Sequence, residues 1–362
     1  RQRQMCIRDR NNLPQQEYTF KTIKQKFSKL EIPEQEFVEH VKNVFSLVSV
    51  SSKRHLTNKV DRSVTGLIAQ QQCVGPLHTP LSNFAITATT HNNLTGCATS
   101  IGEQPIKSLL SSSSMVNMTV GEMLTNIMFA KITCLTDIKC SGNWMWSPKL
   151  EGEGSELYSA VKTLSDTFIQ LGIAIDGGKD SMSMHSEING KIIKTPRTLV
   201  LSAYAPMVDI RKKITPEFKK IDSDIIFIDL GYNYARLGGS SIAQYYEQIG
   251  DESPDFENMN DFAGIFSIIQ NYIEAGKLLS GHDRSDGGLI TCLVEMSISS
   301  DIGCKIDVVS QHSDIDYWFN EELGIIVEVD KMITNEFLSE FKTLVPVYKI
   351  CLLYTSDAAD EV

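Results

Sequence analysis

The chain has no apolar run approaching the roughly 20 residues that cross a bilayer, so no helical membrane span is expected. It has no basic block either. Lys and Arg number 34 against 45 Asp and Glu, a net charge of −11, which disfavours a nucleic-acid partner held by phosphate neutralisation. The eight cysteines form no CxxC pair, and none stands near a histidine at zinc-ligand spacing. With no secretory leader pattern at the start, they read as reduced thiols of a cytoplasmic protein. The hydrolase and metalloprotease signatures GxSxG and HExxH are missing. IAIDGGKD nearly meets the Walker A pattern, but Ile173 stands where its first glycine belongs. Asp180 replaces the hydroxyl that would meet Mg²⁺, so a P-loop is excluded.

What is present is ordinary globular composition, 42% hydrophobic and 22% charged over 362 residues, enough for two domains. The end strings RQRQMCIRDR (1–10) and CLLYTSDAADEV (351–362) read as translated adapter sequence, leaving an internal piece of something longer. Apolar spacing over 16–49 suggests two connecting helices broken at Pro33 within a segment 11–60. A strand is expected at 84–89, a helix from Thr119 to about Thr133, and another over 155–171. IAID (173–176), TLVLSAYAPM (198–207) and DIIFIDLG (224–231) look like buried strands. Helices are expected over Ser240–Ile249, Asp261–Leu279 and Leu289–Ser299, with a late strand GIIVEV (324–329). The elements alternate without a strict βαβ beat, which favours α+β layers. A polar break near 210–222 divides them into subdomains at about 61–215 and 222–350.

Four polar clusters precede or open helices. In TVGEMLTN, Glu122 and Asn126 are four apart and share a helix face, suited to a hard cation. Thr119-x-x-Glu122 is equally a capping box. In SGHDRSDGGL, Asp283, Ser285 and Asp286 stand before Gly287–Gly288, where free N–H groups can hold phosphate and Asp283 its metal. Simple capping by Ser285 or Asp286 is the alternative. RLGGSS (236–241) offers a tight turn and a cap. In DGGKDSMSM (176–184), Lys179 could sit by phosphate, with Ser181 and Ser183 on one strand face. Trp144 and Trp146 read as core more than as a stacking platform. His55, His78 and His282 read as solvated or satisfied rather than catalytic.

In order along the chain stand DRSVTGLIAQQQCVGPLHTPL, IGEQPIKSLL, VGEMLTN, KCSGNWMW, GEGSELY, GGKDSMSM, RLGGSS and GHDRSDGGL. The series resembles the large, single-chain phosphoribosylformylglycinamidine synthase family, over about 50–350 and in the second half of its synthetase region only. The resemblance implies an α+β half like aminoimidazole ribonucleotide synthetase, with two layered α/β subdomains. It implies a ligase that uses ATP and glutamine to convert formylglycinamide ribonucleotide to the amidine in purine synthesis. The cofactors implied are ATP or ADP and Mg²⁺. The partners implied are the first synthetase half and the glutaminase of the same polypeptide, with a small ribonucleotide substrate. Glu122, Asn126 and Asp283 fall at metal-ligand positions and Ser285 at a nucleotide position; Lys179 and Asp180 join the nucleotide set. The family's Pro-Leu-Ala-Asp reads Pro80-Leu81-Ser82-Asn83 here. Asn83 keeps a ligand oxygen but loses a charge, which should weaken Mg²⁺ binding. At Ser82 backbone contact with nucleotide is expected to survive. A non-catalytic half that holds ADP–Mg²⁺ as a structural element is the alternative role.

Overall fold

The computed structural model describes residues 21–23, 26–57, 59, 60, 62, 64–220, 222–306 and 312–354. Its fold is α+β. In the first half, α1 (Phe37–Phe45) and the short α2 (Arg54–Thr57) precede β1 (Ile68–Gln70), β2 (Ala85–Ala88) and β3 (Gly96–Glu103). Then come α3 (Ser112–Ile127), β4 (Lys139–Met145), α4 (Glu153–Leu171), β5 (Ala174–Ser181), the hairpin β6 (His185–Ile188) and β7 (Lys191–Lys194), and β8 (Thr198–Met207). The main sheet runs β1-β2-β3-β8-β4-β5, antiparallel except for the β4–β5 pair. Its strands alternate: Leu199, Leu201, Ala203 and Ala205 of β8 are buried, while the residues between them are partly open. This is the pattern of a sheet covered on one face, and α3 and α4 supply the cover.

Close approach of α3 to β3 depends on one glycine. A Cβ on Gly102 would sit 2.2 Å from the Thr119 carbonyl and 2.7 Å from the Met123 nitrogen, both helix backbone. The same contact brings the face carrying Glu122 and Asn126 onto β3.

The second half holds β9 (Ser223–Ile228), α5 (Ser241–Tyr245), α6 (Met259–Glu274), β10 (Leu278–Asp283), α7 (Gly288–Ser300), β11 (Gly303–Ile306), α8 (Asp314–Phe319), β12 (Ile325–Asp330), α9 (Thr334–Phe341) and β13 (Val347–Tyr354). Its sheet runs β10-β12-β9-β13-β11, antiparallel throughout. Both faces are covered. Ile226 and Ile228 pack with Phe262 and Phe266 of α6 and Phe337 of α9, while Ile225 and Phe227 pack with Leu289 and Leu293 of α7. That explains the apolar runs 225–228 of β9 and 325–327 of β12. Buried Glu328 in β12 is tolerated because it accepts from the Lys219 and Lys220 N–H groups and from the Ser223 and Ser280 hydroxyls. The halves share one core. Gln270 of α6 stitches them, donating to the carbonyls of Met128 and Ala130 and accepting from the Ile132 N–H.

Several elements depart from expectation. Helix α3 starts at Ser112, not Thr119, because Ser111 caps it by accepting from the Ser114 N–H at 3.1 Å. Thr119 is therefore buried mid-helix, and the Thr119–Glu122 capping box does not exist. The run of serines disguised a first turn as loop. Among the described residues before α1 there is no helix; the segment has no regular secondary structure, and Glu31 and Gln248 exchange hydrogen bonds. Residues 16–20, 24 and 25 of that reading lie outside the described residues. The strand expected at 173–176 is β5, an exposed edge, because only β4 pairs with it. It ends at Ser181, so Ser183 is not on it. The helix expected to reach Leu279 ends at Glu274, where Gly276 turns left-handed (φ +65°) and starts β10. The helix expected over Ser240–Ile249 is confined to α5. β13 runs to Tyr354, four residues into the string read as adapter sequence; 1–10 and the rest of that string lie outside the described residues.

Replacing Gly102 by Ala is expected to push α3 off β3 and cost about 1–3 kcal/mol of stability, read from urea denaturation. An unchanged midpoint would contradict the close approach.

Candidate functional site

The two sheets meet where β10 ends. A cavity of about 430 Å³ opens there, lined by Ser82, Asn83, Asn126, His282, Asp283 and Ser285 among others. Three distant stretches supply it: the loop before β2, the last turn of α3, and the end of β10. Asp283 is only 3% exposed. The Asn83 carboxamide nitrogen donates to its Oδ1, and to Asn126 Oδ1 at 2.9 Å. Asn126 in turn donates to the Ile101 carbonyl of β3 at 3.1 Å. The Oδ1 of Asn83 is buried and has no hydrogen-bond partner.

His282 lies beside Asp283. Its Nδ1 is 3.2 Å from Asp283 Oδ1, and its Nε2 is 3.0 Å from Glu295 Oε2 on α7. Burial pulls its pKa down, but the two carboxylates outweigh that and push it up to about 9. The imidazole is thus a cation at neutral pH and compensates part of the buried negative charge.

Glu122 shares the helix face of Asn126 as expected, but its Oε2 accepts from the Glu103 N–H at 2.7 Å and from Gln104 at 3.0 Å. Burial, and then the charges of Asp286 and Asp283, raise its pKa well above the usual carboxylate range against those two donors. Glu122 therefore faces Glu103 and Gln104, one turn from the Asn83–Asn126–Asp283 contact. Among the described residues no three His, Cys, Asp or Glu side chains are arranged as metal ligands. The oxygens that meet here are those of Asn126 and Asp283, around the Asn83 nitrogen.

The start of α7 differs from a free phosphate cradle. The Gly287 N–H donates to Glu321 Oε1 at 2.8 Å, and the Gly288 N–H to the Ser285 carbonyl at 3.0 Å. Glu321 also pairs with buried Lys107 at 2.8 Å and accepts from the Ser241 N–H and hydroxyl. RLGGSS is spent in this network: Ser240 caps α5, and Arg236 binds Glu322 and Glu257. Next to it, burial and the Glu321 charge push Asp286 up to about 7, with Lys107 opposing.

Ser82 and Ser285 line the cavity. The Ser82 N–H is already bound to the Gln72 carbonyl at 3.1 Å, which leaves the Ser82 carbonyl for any backbone contact. Lys179 and Asp180 do not join the cavity. They lie exposed on edge strand β5, opposite Asn143 and Trp144, at the end of the sheet away from β2. Trp146 is core, 1% exposed, its indole bonded to the Glu153 carbonyl. Sequence reasoning undervalued His282 and missed Glu295. A lone carboxylate within the apolar run of α7 was the available signal.

Residues 52–206 match the FGAR-AT PurM_N-like domain, and 235–350 match the C-terminal domain of AIR synthase related proteins. A curated relative, phosphoribosylformylglycinamidine synthase of Dictyostelium discoideum, is 47% identical over 84% of this chain and 24% of its own length. The solved structure of Thermotoga maritima PurL complexed with FGAR superposes with a TM-score of 0.66 at 11% identity, over 89% of this chain and 50% of that one. The same protein complexed with ATP gives 0.59 at 14%, over 89% and 49%. Fold and site thus define an AIR synthase-related chain built of an N-terminal and a C-terminal domain of that class. It belongs to the phosphoribosylformylglycinamidine synthase family. The chain spans about a quarter of the length of the curated relatives it matches.

A carboxylate whose folded pKa is raised binds its proton more tightly when folded, so it favours folding at low pH. For Asp286 that contribution is complete below its ordinary 3.8 and lost as pH rises through about 7; Glu122 acts in the same direction. In a chelator, the melting temperature is expected to fall from mildly acidic to mildly alkaline pH, and less steeply in Asp286→Asn. Equal slopes in the two proteins would contradict this.

Proposed function

We propose that this chain holds a magnesium-bound adenine nucleotide within a phosphoribosylformylglycinamidine synthase, the ATP- and glutamine-dependent ligase that makes formylglycinamidine ribonucleotide from formylglycinamide ribonucleotide in purine synthesis. The observation that carries the reading is the meeting of Asn83, Asn126 and Asp283, with a buried, unpartnered oxygen on Asn83. An oxygen left without a donor in a site of amide and carboxylate oxygens fits a hard cation. Asn83, Asn126 and Asp283 would hold it, with Glu122 one helical turn away, and Ser82 and Ser285 would meet the nucleotide. When bound, Mg²⁺ would offset polyphosphate charge. The protein's own groups prepare for that: the Asp283 carboxylate supplies the charge, and the His282 imidazole stands beside it while tied to Glu295. Lys179 and Asp180 would serve a nucleotide only from the β5 edge.

The relatives' greater length supports further parts of the same polypeptide, the first synthetase half and the glutaminase, as partners. The open face of the first sheet, with Ile101 56% and Ile175 42% exposed, is where the first half would pack. On this reading the subdomains are 61–215 and 222–350, and the setting is cytoplasmic, supported by free buried thiols at Cys73, Cys140 and Cys292. Alone, the chain is expected to give no glutamine-dependent turnover; product formation from it in a direct assay would contradict the division of labour.

A second reading, a half that holds ADP–Mg²⁺ without turning it over, is favoured by one observation. The protonatable groups beside the cavity are bound to one another, His282 lying between Asp283 and Glu295. Asp283→Ala tests the shared premise. Saturating Mg²⁺–ADP at a thousandfold excess over Kd is expected to stabilise the unmodified chain by about 4 kcal/mol, and the variant hardly at all. Equal stabilisation of both would remove Asp283 from the site. In the reconstituted full enzyme, lost folding with intact per-site turnover supports the holding role, and the reverse supports catalysis.

A further inference from the structure

Asn83 is satisfied on one side and stranded on the other. Both of its amide hydrogens are engaged, one on Asn126 Oδ1 and one on Asp283 Oδ1. Its oxygen is buried with no partner. The orientation is imposed by the neighbours. Asn126 spends its own NH₂ on the Ile101 carbonyl at 3.1 Å, so its Oδ1 must face Asn83. Asp283, when ionised, can only accept. Two acceptors on that side call for a donor, and the carboxamide nitrogen is the donor within reach.

The opposite orientation has a different logic. Half a turn about the Cβ–Cγ bond, a soft two-fold torsion, exchanges the nitrogen and oxygen of Asn83. Three oxygens would then face one another with no hydrogen between them, an arrangement that is repulsive on its own and that a divalent cation would relieve. With the NH₂ inward, the positive edge of the amide occupies the place between the two acceptors and opposes entry of a cation.

Resting on the reading that this cavity takes a divalent cation, we propose that Asn83 is a two-position amide latch. With its nitrogen inward it ties α3 to the end of β10. With its oxygen inward it becomes a ligand, and the cation selects the second position over the first. The orphaned oxygen is the reserve ligand, and the two hydrogen bonds are what cation binding must break. The latch therefore weakens the site relative to a carboxylate at the same position, which has no donor to release and adds a charge. It also holds the other two oxygens in register before a cation arrives.

The test uses the whole chain in two measurements. In ¹H–¹⁵N spectra, the Asn83 side-chain NH₂, assigned by its loss in Asn83→Ser, is expected to exchange slowly with water in chelator. It should shift and exchange faster at saturating Mg²⁺ with ADP. In Mn²⁺ titrations followed by electron paramagnetic resonance, Asn83→Asp is expected to bind about tenfold more tightly than the unmodified chain. An Asn83 NH₂ that stays slow and unshifted at saturation overturns the latch, and so does an Asn83→Asp chain that folds but binds no more tightly. Asp283→Ala separates the two levels of the argument. If it abolishes Mn²⁺ binding while the Asn83 amide never turns, only the latch fails; if Mn²⁺ binding survives it, the cavity itself is misassigned and the latch falls with it.

Discussion

A carboxylate buried between two sheets must be compensated, and the arrangement around Asp283 is the compensation. At 3% exposure it has left most of its water behind, a loss that only close donors and opposite charge can offset. The Asn83 amide and the His282 cation supply both, and each is fixed in turn, Asn83 by Asn126 and His282 by Glu295. Because these groups come from the loop before β2, from α3, from β10 and from α7, the charge links the two sheets. Apolar packing helps to place Asp283: Gly281 of the same strand lies so close to Phe129 that an added Cβ would meet that ring at 2.5 Å.

A second buried network sits beside the first and does different work. Lys107 and Glu321 form an ion pair inside the protein, and Glu321 gathers the N–H groups of Ser241 and Gly287. It thereby uses helix-start donors that could otherwise meet phosphate. Its neighbours Asp286 and Glu122 carry raised pKa values because burial and like charge disfavour ionisation. The junction thus concentrates negative charge that the protein alone only partly neutralises, the electrostatic setting a bound cation would relieve.

Much of this was legible in the sequence, and what was not has physical reasons. The bounds of β8 were readable from the run TLVLSAYAPM, although only alternate residues of it are buried. The family resemblance implied Asn83, Asn126, Asp283 and Ser285 as one set, and the four line one cavity. The start of α3 was hidden because serines that cap and open a helix resemble a loop. Lys179 and Asp180 were drawn toward the site by a GGKD turn, but strand order is set by long-range pairing and sends β5 to the far edge. Glu122 was given the right face, but no local pattern reveals that the Glu103 N–H and Gln104 reach its carboxylate. His282 was read as satisfied, and only half of it is: Nε2 is bonded to Glu295, while Nδ1 lies 3.2 Å from Asp283 without a hydrogen bond.

The most direct measurement is the anomalous scattering of Mn²⁺ in crystals of this chain grown with ADP. The account expects one strong peak within coordination distance of Asn83, Asn126 and Asp283, with the nucleotide phosphates beside it. Well-ordered ADP with its manganese elsewhere, or with none near Asp283, would contradict it.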